Sequence, residues 1–398
     1  MSTTVQHGRA IRTINAVGGG LHLAPKLSSQ SLMDAAAKRT GLRDFGDEGF
    51  RTGLDVLVGS LEEEAQLTFL GRVAAKSRLT SLLEQRLRLI DAKPLYAGEQ
   101  VARPVFVLGL PRTGTTVLYG MLAANPALRS PSSWEVSRPF PAPLGEDPER
   151  VQASQKDLDG FRRLAPGIDQ IHPMGPDLPQ ECLAMQAPSF SSYEFVTTFP
   201  VPSYWEWLRG QDMAPAYAFE KQFLQHLQSG GQRGEHWVLK TPCHLMWLDA
   251  LLEVFPDALL VHTHRDPTTV LASVSSLMST IRSAVSNHVD PVAIGREQLA
   301  AWTWGMQRVM EVRDRLPADR VVDVRFEDTV AQPVETVEKV YAHLGLDYTP
   351  AVAEGVRDYL AANPRDKHGT HTYTLSEFGL EHDEVEAAFA TYNERFGS

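Results

Sequence analysis

The chain has 398 residues, of which 43% are hydrophobic and 22% charged, with a formal net charge of −11. Such a composition fits a globular protein with a sizeable core, in one large domain or two, and excludes a disordered or low-complexity chain. The acidic balance argues against nonspecific nucleic-acid binding, so any bound anion needs a local basic pocket. Cys182 and Cys243 are the only cysteines, which excludes a disulfide scaffold and fits a reducing, cytoplasmic setting. No apolar run reaches the length of a transmembrane segment, and the first residues lack the pattern of a signal peptide.

Residues 1–26 show weak periodicity and read as a loosely held arm. From Ser28 to Leu89 the pattern turns helical. Leu54, Leu57, Val58 and Leu61 fall on one face, and Leu67, Leu70, Val73 and Leu79 continue it less regularly. Helices ahead of the first strand would form an N-terminal cap, or an association surface through which the chain could form a homo-oligomer. Ala92-Lys-Pro-Leu-Tyr breaks that pattern. The stretch Val105-Phe-Val-Leu-Gly-Leu-Pro-Arg-Thr-Gly-Thr-Thr116 follows, and the residues from Val117 to Ala124 read as a helix. A strand, a Gly-bearing turn and a helix N-terminus make an anion cradle, because first-turn N–H groups have no intrahelical partner and the helix dipole adds positive charge. The spacing Gly109-x-x-x-x-Gly114-Thr115-Thr116 is nearly a Walker A motif, but Thr115 replaces its Lys and a cation, Arg112, stands earlier.

Asn125-Pro126 is a stop signal, and residues 139–150, rich in Pro, Asp and Glu, read as surface loop. From about Val151 to Gln228 helical stretches alternate with Pro-interrupted loops. Tyr204-Trp205-Glu-Trp207 begins a helix at least as plausibly as it lines a pocket. Strands are expected at Trp237–Thr241 and Ala258–His264, with a helix His244–Phe255 between them as a parallel crossover. Another helix should follow Pro267, a further strand Arg320–Phe326, and helix again Pro333–Leu346. The expected architecture is α/β: a P-loop-like, doubly wound, mainly parallel sheet flanked by helices. Residues 1–100 form the N-terminal helical extension, and residues 101–398 form the α/β domain with a helical insertion at about 139–235. Ligands are expected at the carboxyl ends of the strands.

A second constellation is His264-Arg265-Asp266-Pro267, with Ser273 eight residues beyond Arg265 on the next helix. An Arg at a strand end presents a planar fork suited to phosphate, and a helix-borne hydroxyl can close on another oxygen. Alternatively Arg265 pairs with Asp266 and Ser273 merely packs. His262, His264 and His244 lack a third ligand spaced for a tetrahedral site, so no metal is expected.

Pro111-Arg-Thr-Gly-Thr-Thr116, then Leu239-Lys-Thr-Pro242, then Arg265 with Ser273, resembles the sulfotransferases that use 3′-phosphoadenosine 5′-phosphosulfate (PAPS) and release PAP. Val324-Arg-Phe-Glu-Asp also resembles a late segment of that family. The resemblance runs from about Pro104 to the C-terminus. It implies that Arg112 steadies charge on the bridging oxygen while Thr113, Gly114, Thr115 and Thr116 hold the 5′-phosphate. It further implies that Lys240 lies near the transferred sulfuryl group and that Arg265 and Ser273 take the 3′-phosphate. The segment Arg365–Tyr373, with Lys367 and His368, resembles a basic flap over the nucleotide, and a solvated basic loop fits it equally.

The catalytic base is left open. Cytosolic members of the family place a His directly after Lys-Thr, where Pro242 stands here, and the nearest imidazole is His244. Other members carry a Glu about twenty residues after the loop cation, and Glu135 lies 23 after Arg112. Glu135 is the leading expectation, with His172, Glu181 and His244 behind it, because geometry decides a base. The expected partner is a small-molecule or glycolipid-like acceptor, for which Trp205, Trp207, Trp302 and Trp304 either line an apolar pocket or pack in the core. Competing readings are a divergent P-loop kinase or NTPase, and a nucleotide-binding module without catalysis.

Overall fold

The computed structural model describes residues 7–20, 24–125, 127–231, 234–363 and 373–397, so Lys367 and His368 lie outside the described residues. Ahead of the first strand come α1 (Arg9–Gly20), α2 (Ser29–Thr40), α3 (Phe50–Glu63), α4 (Phe69–Asp91) and the single turn α5 (Lys93–Tyr96). Leu54, Leu57, Val58 and Leu61 are all buried, as their spacing on α3 predicts. Within the expected loose arm, Arg9–Gly20 instead form the helix α1. Its Asn15 side chain accepts from the Leu70 N–H at 3.0 Å, and Gly18 lies so close to the Phe69 ring that a side chain there would collide with it. Tertiary contact, not local propensity, holds α1 in place, which is why three successive glycines (Gly18 to Gly20) concealed it.

Arg86 on α4 ties these helices to the rest of the protein. It donates to the carbonyls of Phe45 at 2.7 Å and Asp47 at 2.8 Å, and its guanidinium stacks 4.2 Å from the Phe50 ring centroid. Its third acceptor is the Pro188 carbonyl, 102 residues away in sequence. Burial pushes its pKa down to about 10, against the pull of Asp47 and Glu48, and three carbonyl acceptors keep the cation satisfied.

The sheet has five parallel strands: β1 (Val105–Gly109), β2 (Leu128–Arg129), β3 (His236–Lys240), β4 (Leu259–His264) and β5 (Val321–Arg325), in the order β2-β3-β1-β4-β5. Both faces are covered, so β1 is apolar throughout. Val105 and Val107 face a core with Leu118, Val261 and Val340, while Phe106 and Leu108 face another with Leu239, Phe255 and Leu260. The crossover between β3 and β4 differs from expectation in one respect. Its helix begins at Leu248, because residues Pro242–Leu245 first make a tight 3-10 turn.

After β1 the chain turns through Leu110 to Gly114 into α6 (Thr115–Ala123). Gly109 has φ +150°, and a Cβ there would fall on the Thr263 hydroxyl and 2.6 Å from its carbonyl oxygen. Gly109→Ala should therefore lose about 1–3 kcal/mol from backbone strain alone, with the clash added. The expected outcome is a lower melting temperature and a distorted loop. Gly98→Ala, which meets nothing within 4 Å, is the control. Equal melting of the two variants would show that β1 and β4 can separate at no cost.

Candidate active site

The carboxyl ends of β1, β3 and β4 converge on the loop that opens α6. Arg112 and Gly114 both lie in the left-handed region, at φ 67° and 81°. For Gly114 this is ordinary, and for an Arg it is strained. Thr113 fixes the turn by donating to the Leu110 carbonyl at 2.6 Å and sharing a 2.6 Å hydrogen bond with Thr263. Gly114 stands at the N-cap of α6, and no side chain caps that helix. The first-turn N–H groups are thus left for an anion.

On the β4 side, Asp266 caps the helix Pro267–Ser283 by accepting from the N–H groups of Thr268 and Thr269, both at 3.0 Å. Arg265 instead donates to the Arg112 carbonyl at 2.8 Å and stacks 3.9 Å from the Phe326 ring centroid. The Arg112 side chain crosses to the same place, donating to Ser273 Oγ at 3.1 Å and to the Ile171 carbonyl at 2.9 Å. Arg112, Arg265 and Ser273, drawn from the loop, a strand end and a helix, are therefore brought together. Burial lowers the Arg112 pKa, and the nearby Tyr373 phenol opposes that shift.

On the β3 side, Lys240 is 2% exposed. Its ammonium pairs with Glu181 and donates to Thr116 Oγ1 at 3.3 Å. Thr241 donates to the second Glu181 oxygen at 3.1 Å. Burial would raise the Glu181 pKa, but the charge of Lys240, the neighbouring His172 ring and the hydrogen bonds from Lys240 and Thr241 outweigh it, so the carboxylate is held below its usual range. His172 lies within the field of Glu181, Lys240 and Arg112, and burial brings its pKa down to about 4. Its imidazole is neutral at pH 7.

Two of the expected bases are engaged by other partners. Glu135 closes a capping box on the helix Ser133–Ser137, accepting from the Ser132 N–H at 2.9 Å, and it pairs with Arg129 at 2.8 Å. Arg129 in turn stacks 4.4 Å from the Trp237 ring centroid. Trp237 is three residues before Lys240 on β3, about 10 Å back from the strand end where the ligand is expected. Glu135 lines a cavity of about 690 Å³ with Arg129, Ser132, Trp134 and Asp147. His244 is 0% exposed, edge-on to Phe106 and hydrogen-bonded through Nδ1 to the Tyr217 hydroxyl at 2.9 Å. The 3-10 turn at Pro242 rotates it into the core.

Other groups were not foreseen. Thr263 locks the loop, and Phe326 lies beneath Arg265. The strand pairing that sets Gly109 opposite Thr263 carries no sequence signal of its own. Phe326 falls within Val324-Arg-Phe-Glu-Asp, a pattern that assigns the ring no contact. Of Trp205, Trp207, Trp302 and Trp304, Trp205 and Trp302 are buried, while Trp205 and Trp304 line a mainly apolar cavity of about 460 Å³ with Pro200, Pro202 and Ile294. His262, His264 and Asp323 bring ligand atoms within 4.8 Å of one another. A cation is already there: Arg313 donates to His262 Nδ1 at 2.6 Å and to Asp323 at 2.7 Å. Among the described residues, no helix is long and apolar enough to cross a membrane, and both cysteines are free and buried.

Comparison with known proteins finds chains of the same fold. STF1 from Mycobacterium tuberculosis has a similar crystal structure, with TM-score 0.80 and 32% identity, covering 92% of this chain and 99% of that one. STF9 from Mycobacterium avium has TM-score 0.83 and 29% identity, covering 93% and 96%. Among curated proteins, omega-hydroxy-beta-dihydromenaquinone-9 sulfotransferase Stf3 of Mycobacterium bovis is 24% identical over 285 residues, 69% of this chain and 71% of its own. A sequence model of the sulfotransferase family matches residues 104–350. That segment is well over half of the chain and holds the loop of α6, Lys240, Arg265 and Ser273; the chain belongs to the sulfotransferase family.

Proposed function

We propose that the chain moves a sulfuryl group from PAPS to a hydroxyl, or an amine, of a small-molecule or glycolipid-like acceptor by in-line displacement, leaving PAP. The observation that carries this reading is the convergence of Arg112, Arg265 and Ser273 beside a helix N-terminus with no side-chain cap. One cluster of donors suits a phosphate on the ribose, and the uncapped helix suits a second anion. When bound, PAPS supplies the activated sulfuryl group and a stable leaving group.

The residues brought together at the site each have a part in this scheme. Thr113 holds the loop, and the N–H groups of Gly114, Thr115 and Thr116 bind the 5′-phosphate. Arg265 and Ser273 bind the 3′-phosphate, with Arg112 bridging toward the transferred charge. Lys240, between Thr116 and Glu181, can turn from its carboxylate partner to a sulfuryl oxygen. Glu181, thereby released and already ionised, takes the acceptor proton, with neutral His172 beside it. The name of the Stf3 relative specifies a hydroxylated lipid quinone, which supports an apolar alcohol as acceptor here.

Thr115 in place of the Walker Lys disfavours nucleoside triphosphate cleavage. PAP should accordingly bind in the presence of EDTA and well ahead of ATP, as read by calorimetry. Tighter binding of ATP that requires magnesium, with phosphate release, would replace this reading with the NTPase one.

Glu181→Gln should leave PAP affinity nearly intact and cut turnover by roughly 10²–10⁴, the usual worth of a positioned general base. Glu135→Gln should change stability more than rate. Because the Glu181 pKa is lowered, the base is active above its depressed pKa and is lost as pH falls through it. The acid limb of kcat/KM should therefore lie below the ordinary value of 4.5, with a flat profile from pH 5 to 7. Full rate in Glu181→Gln with a large loss in Glu135→Gln would return the base to the capping carboxylate.

A further inference from the structure

The C-terminal helix Ala390–Phe396 has no role in the scheme above, yet one of its side chains touches the main chain at Arg265. The Tyr392 oxygen accepts from the Arg265 N–H at 3.3 Å and lies 3.4 Å from the Arg265 carbonyl. Tyr392 is 2% exposed. Behind it runs a continuous polar chain. The Tyr392 hydroxyl is 3.2 Å from His264 Nδ1, and His264 Nε2 is 2.7 Å from Asp323 Oδ1. Arg313 holds Asp323 by two bonds, at 2.7 and 2.9 Å. Phe396, one turn beyond Tyr392, stacks on the His264 ring at 4.2 Å between centroids and 14° between planes.

We propose that Tyr392, backed by His264, Asp323 and Arg313, is a positioning residue that fixes the Arg265 main chain so that its guanidinium meets the donor's 3′-phosphate. The proposal rests on the assignment of Arg265 to that phosphate. The hydrogen-bond directions allow one arrangement when His264 is neutral. Asp323 can only accept, so Nε2 carries the proton and Nδ1 accepts the Tyr392 O–H. The Tyr392 oxygen is then left to accept the Arg265 N–H. Burial favours that neutral form, although Asp323 opposes it. The groups facing the imidazole are Asp323 and Arg325 from β5, Arg313 from the helix Pro291–Arg313, His262 from its own strand, and Tyr392 with Phe396. The network thus spans β4, β5, the helix ending at Arg313 and the C-terminal helix, and it converges on one amide.

The test uses the full chain and two probes, PAP and 5′-AMP, which lacks the 3′-phosphate. Tyr392→Phe removes one hydroxyl and keeps the ring, so folding should hold, as read from the melting curve. PAP should weaken about three- to tenfold, the usual worth of one hydrogen bond, while 5′-AMP is unchanged. His264→Ala should lose the same preference. His264→Gln, which offers a donor and an acceptor on one planar group, should recover part of it. Equal weakening of both probes, or none, in Tyr392→Phe would overturn the proposal. Arg265→Ala separates this from failure of the donor assignment. If Arg265→Ala keeps the full preference for PAP, the assignment itself is wrong. If Arg265→Ala loses the preference and Tyr392→Phe does not, only the positioning role falls.

Discussion

The close approach of β1 to β4 is the constraint on which the site depends. Gly109 leaves β1 with no room for a Cβ against Thr263, and Thr113 ties back to that same Thr263 hydroxyl. These two contacts set the direction in which α6 begins, and hence where its free N–H groups point. The strained backbone at Arg112 follows from the same turn, and it carries the guanidinium across to Ser273. A net acidic protein concentrates positive charge here through geometry, since the helix N-terminus with Arg112 and the second cation, Arg265, come from separate parts of the chain.

The other half of the site is an ion pair between buried Lys240 and partly exposed Glu181. Lys240 and Glu181 neutralise each other, with Thr116 accepting from the ammonium and Thr241 donating to the carboxylate. Removing either partner alone would leave a charge stranded in the protein, which is the costly case. A functional consequence follows. In the proposed scheme, a lysine that shares its contacts between a carboxylate and the hydroxyl at the helix N-terminus exchanges one for an incoming anion without becoming unpaired, and the carboxylate is released in the same movement.

Much of this was legible in the sequence because its signals are local. β1, its loop and α6 form one contiguous stretch, and β4 with Arg265 and Ser273 form another; each strand is a short apolar run that Gly or Pro terminates. The paired carboxylates were not separable in this way. Glu135 has the better spacing from Arg112, but the segment from Ser132 to Trp134 is held to residues 176–179 by backbone hydrogen bonds and a bridge. That pairing directs Glu135 to Arg129, while Glu181, a few residues past the bridge, reaches Lys240. Spacing along the chain contains no information about such a contact. His244 shows the same limit at shorter range, since a single 3-10 turn decides whether a residue four past Lys240 faces the cleft or the core. The helix α1 was hidden for another reason: glycines obscure its pattern, and Phe69 and Leu70 hold it from outside.

The most direct measurement of the central claim is transfer itself. The purified chain would be incubated with PAPS carrying labelled sulfur, in EDTA, together with a panel of hydroxylated lipids and aromatic alcohols. Label should appear in at least one acceptor, with PAP formed in equal amount, and Lys240→Ala should abolish it. Labelled phosphate moving from ATP to the same panel, with no sulfur transferred from PAPS, would contradict it.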